Sequence, residues 1–255
     1  MESKMATSPS TAAPSLEPRK LSEFERITKV FYAPSEVFED IKQNANWIVP
    51  VVLLAIVSLA FVYLVQVKVG WETVVDNTMR AMPPAKLERI QQGGPELQKR
   101  VHDQMLLGYK VFSYLSPLAI ILISLIVAAI YTGIMNFGLG AQLRFKHVLA
   151  ANMYVSLPRL LASILAMIGL YSFIDPQDFD MRAPVASNPA TFVAASEHPF
   201  VHGVLASFDI FAIWSTILMG IALSVLSGKS RRTGMFVAFG LMIIAALLFN
   251  IGSAF

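Results

Sequence analysis

The chain has 255 residues, 55% of them hydrophobic and only 15% charged, where an average soluble domain carries roughly 25% charge. A mean hydropathy of +0.60, with the apolar residues gathered in long runs, excludes a disordered chain and argues against a soluble enzyme. The absence of cysteine excludes disulfides, thiol catalysis and cysteine-held metal centres, and a net charge of +3 reflects loop topology rather than a nucleic-acid partner.

Residues 1–19 are rich in Ser, Thr, Ala and Pro and are expected to form a disordered tail, because they bury too little surface to offset the entropy of ordering. Residues 20–44 differ in kind. Leu21, Phe24, Ile27, Val30 and Phe31 recur at helical spacing and predict one apolar face, with Glu23, Glu25, Arg26 and Lys29 mostly on the other. Pro34 interrupts this helix, and Ser35 is placed to cap a second one carrying Val37, Phe38 and Ile41 on one side. Two short amphipathic helices ahead of a membrane span predict an interfacial hairpin lying along the bilayer. Ordinary packing beneath the bundle is the alternative.

Residues 45–255 hold five long apolar segments, at about 47–67, 111–139, 148–173, 204–226 and 235–255. Each reaches the ~20 residues needed to cross a ~30 Å hydrocarbon core, and none alternates as a barrel strand would. The expected fold class is therefore an all-α membrane protein, with five transmembrane helices and an N-terminal amphipathic helical hairpin. The connection at about 68–110 is expected to be external and helical, with short helices at 71–81 and 84–92 broken at Pro83-Pro84. Gly93-Gly94-Pro95 then starts a helix that runs on toward span two.

The loops at 140–147 and 227–234 carry Arg144, Lys146, Lys229, Arg231 and Arg232, whereas the connection at 174–203 is acidic. The positive-inside rule predicts that the two basic loops are cytoplasmic. Five spans then put the N-terminus inside and the C-terminus outside a cell's inner membrane.

At this point the residues form a known pattern. RITKVFYAPSEVFEDI precedes the first span, Leu157-Pro158-Arg159 stands in the third, and FDIFAIWSTILMGIALSV opens the fourth before a basic SGKSRR exit. This ordering resembles the Yip domain family of Ypt-interacting membrane proteins, and its bacterial members in particular. Its most specific part is Asp209-Ile210-Phe211-Ala212-Ile213-Trp214 followed by Gly228-Lys229-Ser230. The resemblance implies a five-span bundle with a cytoplasmic N-terminus. Eukaryotic members are linked to Rab-type GTPases and vesicle traffic, a role that does not transfer with the pattern.

Two charges fall inside the predicted spans, Arg159 and Asp209. An ionisable residue in a membrane helix costs at least ~2.5 kcal/mol on insertion scales, so each is a functional or pairing candidate. Either they bridge, or Asp209 reaches water at the outer surface while Arg159 caps carbonyls in the bundle. Pro158 beside Arg159 removes a backbone donor and predicts a kink in span three. Freed carbonyls beside a cation, with Asn152 nearby, would suit a polar cavity. Thr216, Gly220, Ser224 and Gly228 recur every four residues as a small-residue stripe, as do Ala129 and Gly133 in span two, and each stripe predicts a close helix approach.

Gly228-Lys229-Ser230 has the ending of a phosphate-binding loop, but Leu223 stands where that loop needs glycine. His198 and His202 stand four apart, the spacing of a metal pair on a helix, but Pro199 follows His198 directly and no HExxH glutamate lies between them. No nucleophile–base arrangement or cofactor motif is legible, so neither an enzyme, a metal nor a cofactor is expected. The expected partners are the lipid bilayer and, through the hairpin or a small-residue seam, other membrane proteins or a second copy of the chain. The leading function is a non-enzymatic membrane-organising scaffold. The competing one is a small transporter or channel. A water-accessible cavity reaching Arg159 from one side favours the second, and a bundle packed shut favours the first.

Overall fold

A computed structural model describes residues 20–181, 183–193 and 197–251. The expected tail at 1–19 lies outside the described residues. The architecture is all-α, with no strand among the described residues and five helices long and apolar enough to cross a membrane.

The chain opens with α1 (Glu23–Lys29) and α2 (Pro34–Gln43), which form the hairpin. Ser22 and Glu25 close a reciprocal capping box: the Ser22 hydroxyl accepts from the Glu25 amide, and the Glu25 carboxylate accepts from the Ser22 amide. Pro34 is not a break between helices but the first residue of α2, where its missing N–H costs nothing. Ser35 consequently does not cap α2; its hydroxyl accepts from Arg231 Nη2 at 2.8 Å.

The first span is α3 (Ile48–Lys68). The connection that follows contains α4 (Trp71–Arg80) and α5 (Pro84–Gln92), then α6 (Gly94–Tyr114), as the proline and glycine breakers predict. Span two is α7 (Ser116–Gly133) with a π-helical turn to Gly138, so it starts later than the apolar run suggested because α6 takes the residues to Tyr114. Span three is broken at Ser156 into α8 (Phe145–Val155) and α9 (Leu157–Ser172), with Pro158 in the first turn of α9.

The apolar run at 204–226 is also divided. Pro199–Ala206 forms a separate short helix, α10, and the span proper is α11 (Ile210–Ser227). Gly228 ends it in the left-handed conformation at φ +69°, and Ser230 caps α12 (Arg231–Asn250) by accepting from the Thr233 amide. Gly228-Lys229-Ser230 is thus a helix stop followed by a helix start.

The spans pack as an open ring. α7 packs on α3, α3 on α9, α9 on α11 and α11 on α12, with α8 bracing α7 and α11. The main core fills the hairpin end and combines Phe38 and Ile41 of α2 with Tyr154, Leu157, Leu218 and Leu223 of the spans. At the far end a second cluster joins Val65, Trp71 and Val74 to Leu170 and Phe179. There Asn77 Nδ2 donates to the carbonyls of Pro176 (3.0 Å) and Phe179 (2.8 Å), tying the 68–110 connection to the acidic one.

Candidate functional site

Two features carry the polar chemistry of the bundle: a locked hairpin and a cavity around Arg159.

The hairpin is held by a charge network that amphipathic spacing did not predict. Arg26, expected on the polar face of α1, is fully buried. Its Nε donates to Asp40 Oδ2 at 2.6 Å, its Nη1 to Glu23 at 3.3 Å and its Nη2 to the Asn44 carbonyl at 3.1 Å. Asp40 is itself buried and accepts from the Leu21 amide at 3.0 Å through its other oxygen. Glu23 accepts from Asn46 Nδ2 at 2.7 Å and from the hydroxyl of Tyr154 on α8. Burial alone would lower the Arg26 pKa, but contacts with Tyr154 and Asp40 outweigh it and hold the guanidinium above its ordinary range.

The face of α1 therefore turns relative to expectation: Arg26 and Val30 point inward together, and Phe24 is 75% exposed. Phe31 meets Trp214 edge-to-face at 5.4 Å. Trp214 lies thirteen residues from the α11 terminus at Ser227, ~20 Å along the helix. The hairpin thus packs against the bundle, with α2 on α11 and α8. Arg231 on Ser35 and His147 on the Lys42 carbonyl (3.1 Å) fasten it to both basic loops.

The cavity occupies the half of the bundle away from the packed core and measures about 790 Å³. All five spans line it. Tyr131, Asn152 and Met219 mark its deep end, and Pro184, Ser187 and Asn188 of the acidic connection stand at its rim. Arg159 projects into it as an exposed side chain from the first turn of α9, because the break at Ser156 reorients the helix there. Its guanidinium makes no ion pair and no hydrogen bond among the described residues. Pro158, by contrast, is buried in the helix wall.

Asp209 is not inside a span. It is the N-cap of α11, and its Oδ1 accepts from the amides of Phe211 and Ala212, each at 2.9 Å. The apolar run at 204–226 misplaced it by counting α10 as membrane helix. Asp209 also lines the cavity, but no ion pair joins it to Arg159. Thermal unfolding in detergent is therefore expected to be additive for the two residues. Asp209→Ala should cost ~1 kcal/mol as a lost cap, Arg159→Leu should be close to neutral, and their coupling should stay below ~0.5 kcal/mol. A coupling well above that would establish a pair.

The stripe on α11 faces α12. A Cβ on Gly220 would lie 2.5 Å from Met235 Sδ, the Thr216 hydroxyl reaches Met242 Sδ at 3.2 Å, and Ser224 donates to the Lys229 carbonyl at 3.0 Å. Gly228 belongs to the turn rather than to the contact. Among the described residues the second stripe meets no other helix: Ala129 is exposed and nothing lies within 4 Å of a Cβ on Gly133.

The fold and these sites define a five-span helical membrane protein with a docked N-terminal hairpin. The Yip1 domain family model matches residues 28–252, and the chain belongs to that family. The match defines the family and not the bacterial branch. No match was found among curated proteins or among solved structures.

Proposed function

We propose that this Yip1-family chain is a non-enzymatic membrane protein that receives a ligand inside its bundle, the transporter-type reading rather than the purely structural scaffold. The observation that carries it is the cavity reaching Arg159 from the far end while the hairpin end is filled by core side chains. An unpaired guanidinium in such a chamber is retained for what it binds, since it adds a desolvation cost and no protein partner. In this reading the locked hairpin closes one end of the bundle. We further propose that the hairpin end is cytoplasmic and the cavity rim external, on the basic loops at 144–146 and 229–232.

The absence of native cysteine gives a clean test. Single variants Ser163→Cys on the cavity wall, Ala222→Cys in the core and Arg232→Cys in a basic loop are exposed to an impermeant maleimide. Vesicles of each sidedness are compared. The Ser163→Cys variant is expected to react from outside only, Arg232→Cys from the cytoplasmic side only, and Ala222→Cys from neither. Failure of Ser163→Cys to react from either side would restore the packed scaffold, and inverted labelling of Arg232→Cys would reverse the topology.

A further inference from the structure

The ligand-binding reading can be taken further, to the class of ligand. We propose that the cavity holds a membrane amphiphile with an anionic phosphate headgroup, taken in sideways between α7 and α12, with Arg159 and Ser215 on the headgroup. The inference rests on the ligand-binding reading above and on three further observations.

The first is a hydroxyl without a partner. On the cavity wall Ser156, Ser163 and Thr216 return their hydroxyls to their own backbone, to the carbonyls of Asn152, Arg159 and Ala212, and Ser58 shares a hydrogen bond with Ser116. Ser215 does neither. It is only 6% exposed, lines the cavity, and its Oγ has no partner among the described residues. A buried hydroxyl is costly to leave unpaired, so a donor held free at this position points to an acceptor supplied from outside the protein.

The second is charge. Arg159 on α9 and Ser215 on α11 come from helices that pack together, and both residues line the same chamber. A guanidinium and a hydroxyl are both donors, and a phosphate oxygen accepts from both. Asp209 lines the same cavity, but its Oδ1 is turned to the N-terminus of α11, whose partial positive charge offsets part of its own.

The third is the shape. α7 and α12 both line the cavity without packing closely on one another, which leaves the ring of spans open between them. The walls at this gap are apolar: Ile123 and Val127 on one side, Leu241, Ala245 and Phe249 on the other. Ile123 and Phe249 are 59% and 88% exposed. A free polar anion gains nothing from such walls, whereas acyl chains continue from them into lipid. The volume of about 790 Å³ lies within the ~300–1,000 Å³ of ligand sites.

The test uses the full chain in a neutral detergent and reads the melting temperature against added ligand. The probes are phosphatidylglycerol, phosphatidylcholine with the same acyl chains, and inorganic phosphate. The expected result is a saturable upward shift with phosphatidylglycerol, at a concentration at least tenfold below any effect of the other two. Arg159→Gln should remove the response, and Ser215→Ala should weaken it severalfold. Ala245→Trp, which fills the gap and leaves Arg159 in place, should also remove it. An equal response to phosphatidylcholine would overturn the headgroup assignment. An equal response to inorganic phosphate would reduce the site to one for a free anion. An unchanged response in Arg159→Gln and Ala245→Trp would place the lipid elsewhere on the protein. If Ser163→Cys labels from outside but no lipid shifts the wild type, the lipid assignment fails and the ligand-binding reading stands. If nothing labels, both fail.

Discussion

Replacing Arg26 with alanine is expected to destabilise the protein by ~3–5 kcal/mol, the cost of stranding a buried charge by removing its partner. The carboxylate left behind is Asp40, which is 8% exposed and cannot turn to solvent while α1 and α2 remain docked. The loss would not stop at the pair. Arg26 also satisfies the Asn44 carbonyl at the end of α2 and braces Glu23, which receives the Tyr154 hydroxyl from α8. One side chain therefore joins α1, α2 and span three.

Thermal unfolding in detergent gives the measurement. Lys29→Ala is the comparison, because Lys29 pairs with Glu36 at 2.6 Å on the surface, where solvent screens the pair and its loss should barely move the melting temperature. If the two variants melt together, the buried network does not hold the hairpin. The double variant Arg26→Met with Asp40→Leu removes both charges and is expected to recover most of the loss, since a buried ion pair is often replaceable by apolar groups of similar size.

The spans were legible because length and apolar content are properties of a window, and five windows met the membrane requirement. Their ends were less legible. Hydropathy does not distinguish α10 from α11, since the boundary is set by Asp209 receiving two amides rather than by a change in apolar content. Asp-Ile-Phe-Ala is an N-cap signal in the sequence. Counting Asp209 as part of a long apolar run concealed it.

Arg26 escapes the amphipathic pattern for the opposite reason. Its charge argues for exposure, although Arg26 and Val30 stand four residues apart on one helix face and Val30 belongs to the apolar set. A buried cation becomes visible only when Asp40, fourteen residues on, is seen to fold back against it. The cavity was legible only as a possibility, from Pro158, Arg159 and Asn152 together. The opening between α7 and α12 is a property of helix packing and leaves no mark on local sequence.

The approach of α11 and α12 yields a prediction in which identical chemistry on one helix has opposite signs. Gly234 lies at the end of the first turn of α12, against the backbone of α11. A Cβ there would fall 2.2 Å from the Gly220 carbonyl oxygen and 3.0 Å from the Ser224 amide nitrogen. Neither atom is the end of a flexible side chain, so the helices themselves must separate. Gly234→Ala is therefore expected to destabilise by ~1–3 kcal/mol, the usual cost of overpacking, with part of the loss coming from the contacts that Gly220 makes with Met235. Gly240 lies on the same helix with nothing within 4 Å of its Cβ position. Gly240→Ala removes a flexible residue from a helix interior and is expected to be neutral or stabilising by up to ~1 kcal/mol. The two variants are compared by thermal unfolding in one detergent. Sequence singled out Gly220 and Ser224 but not Gly234, because one helix shows its own stripe and never the residue that fits against it. Equal melting temperatures for the two variants would mean that α11 and α12 do not meet at Gly234, and the packing that closes this side of the cavity would have to be redrawn.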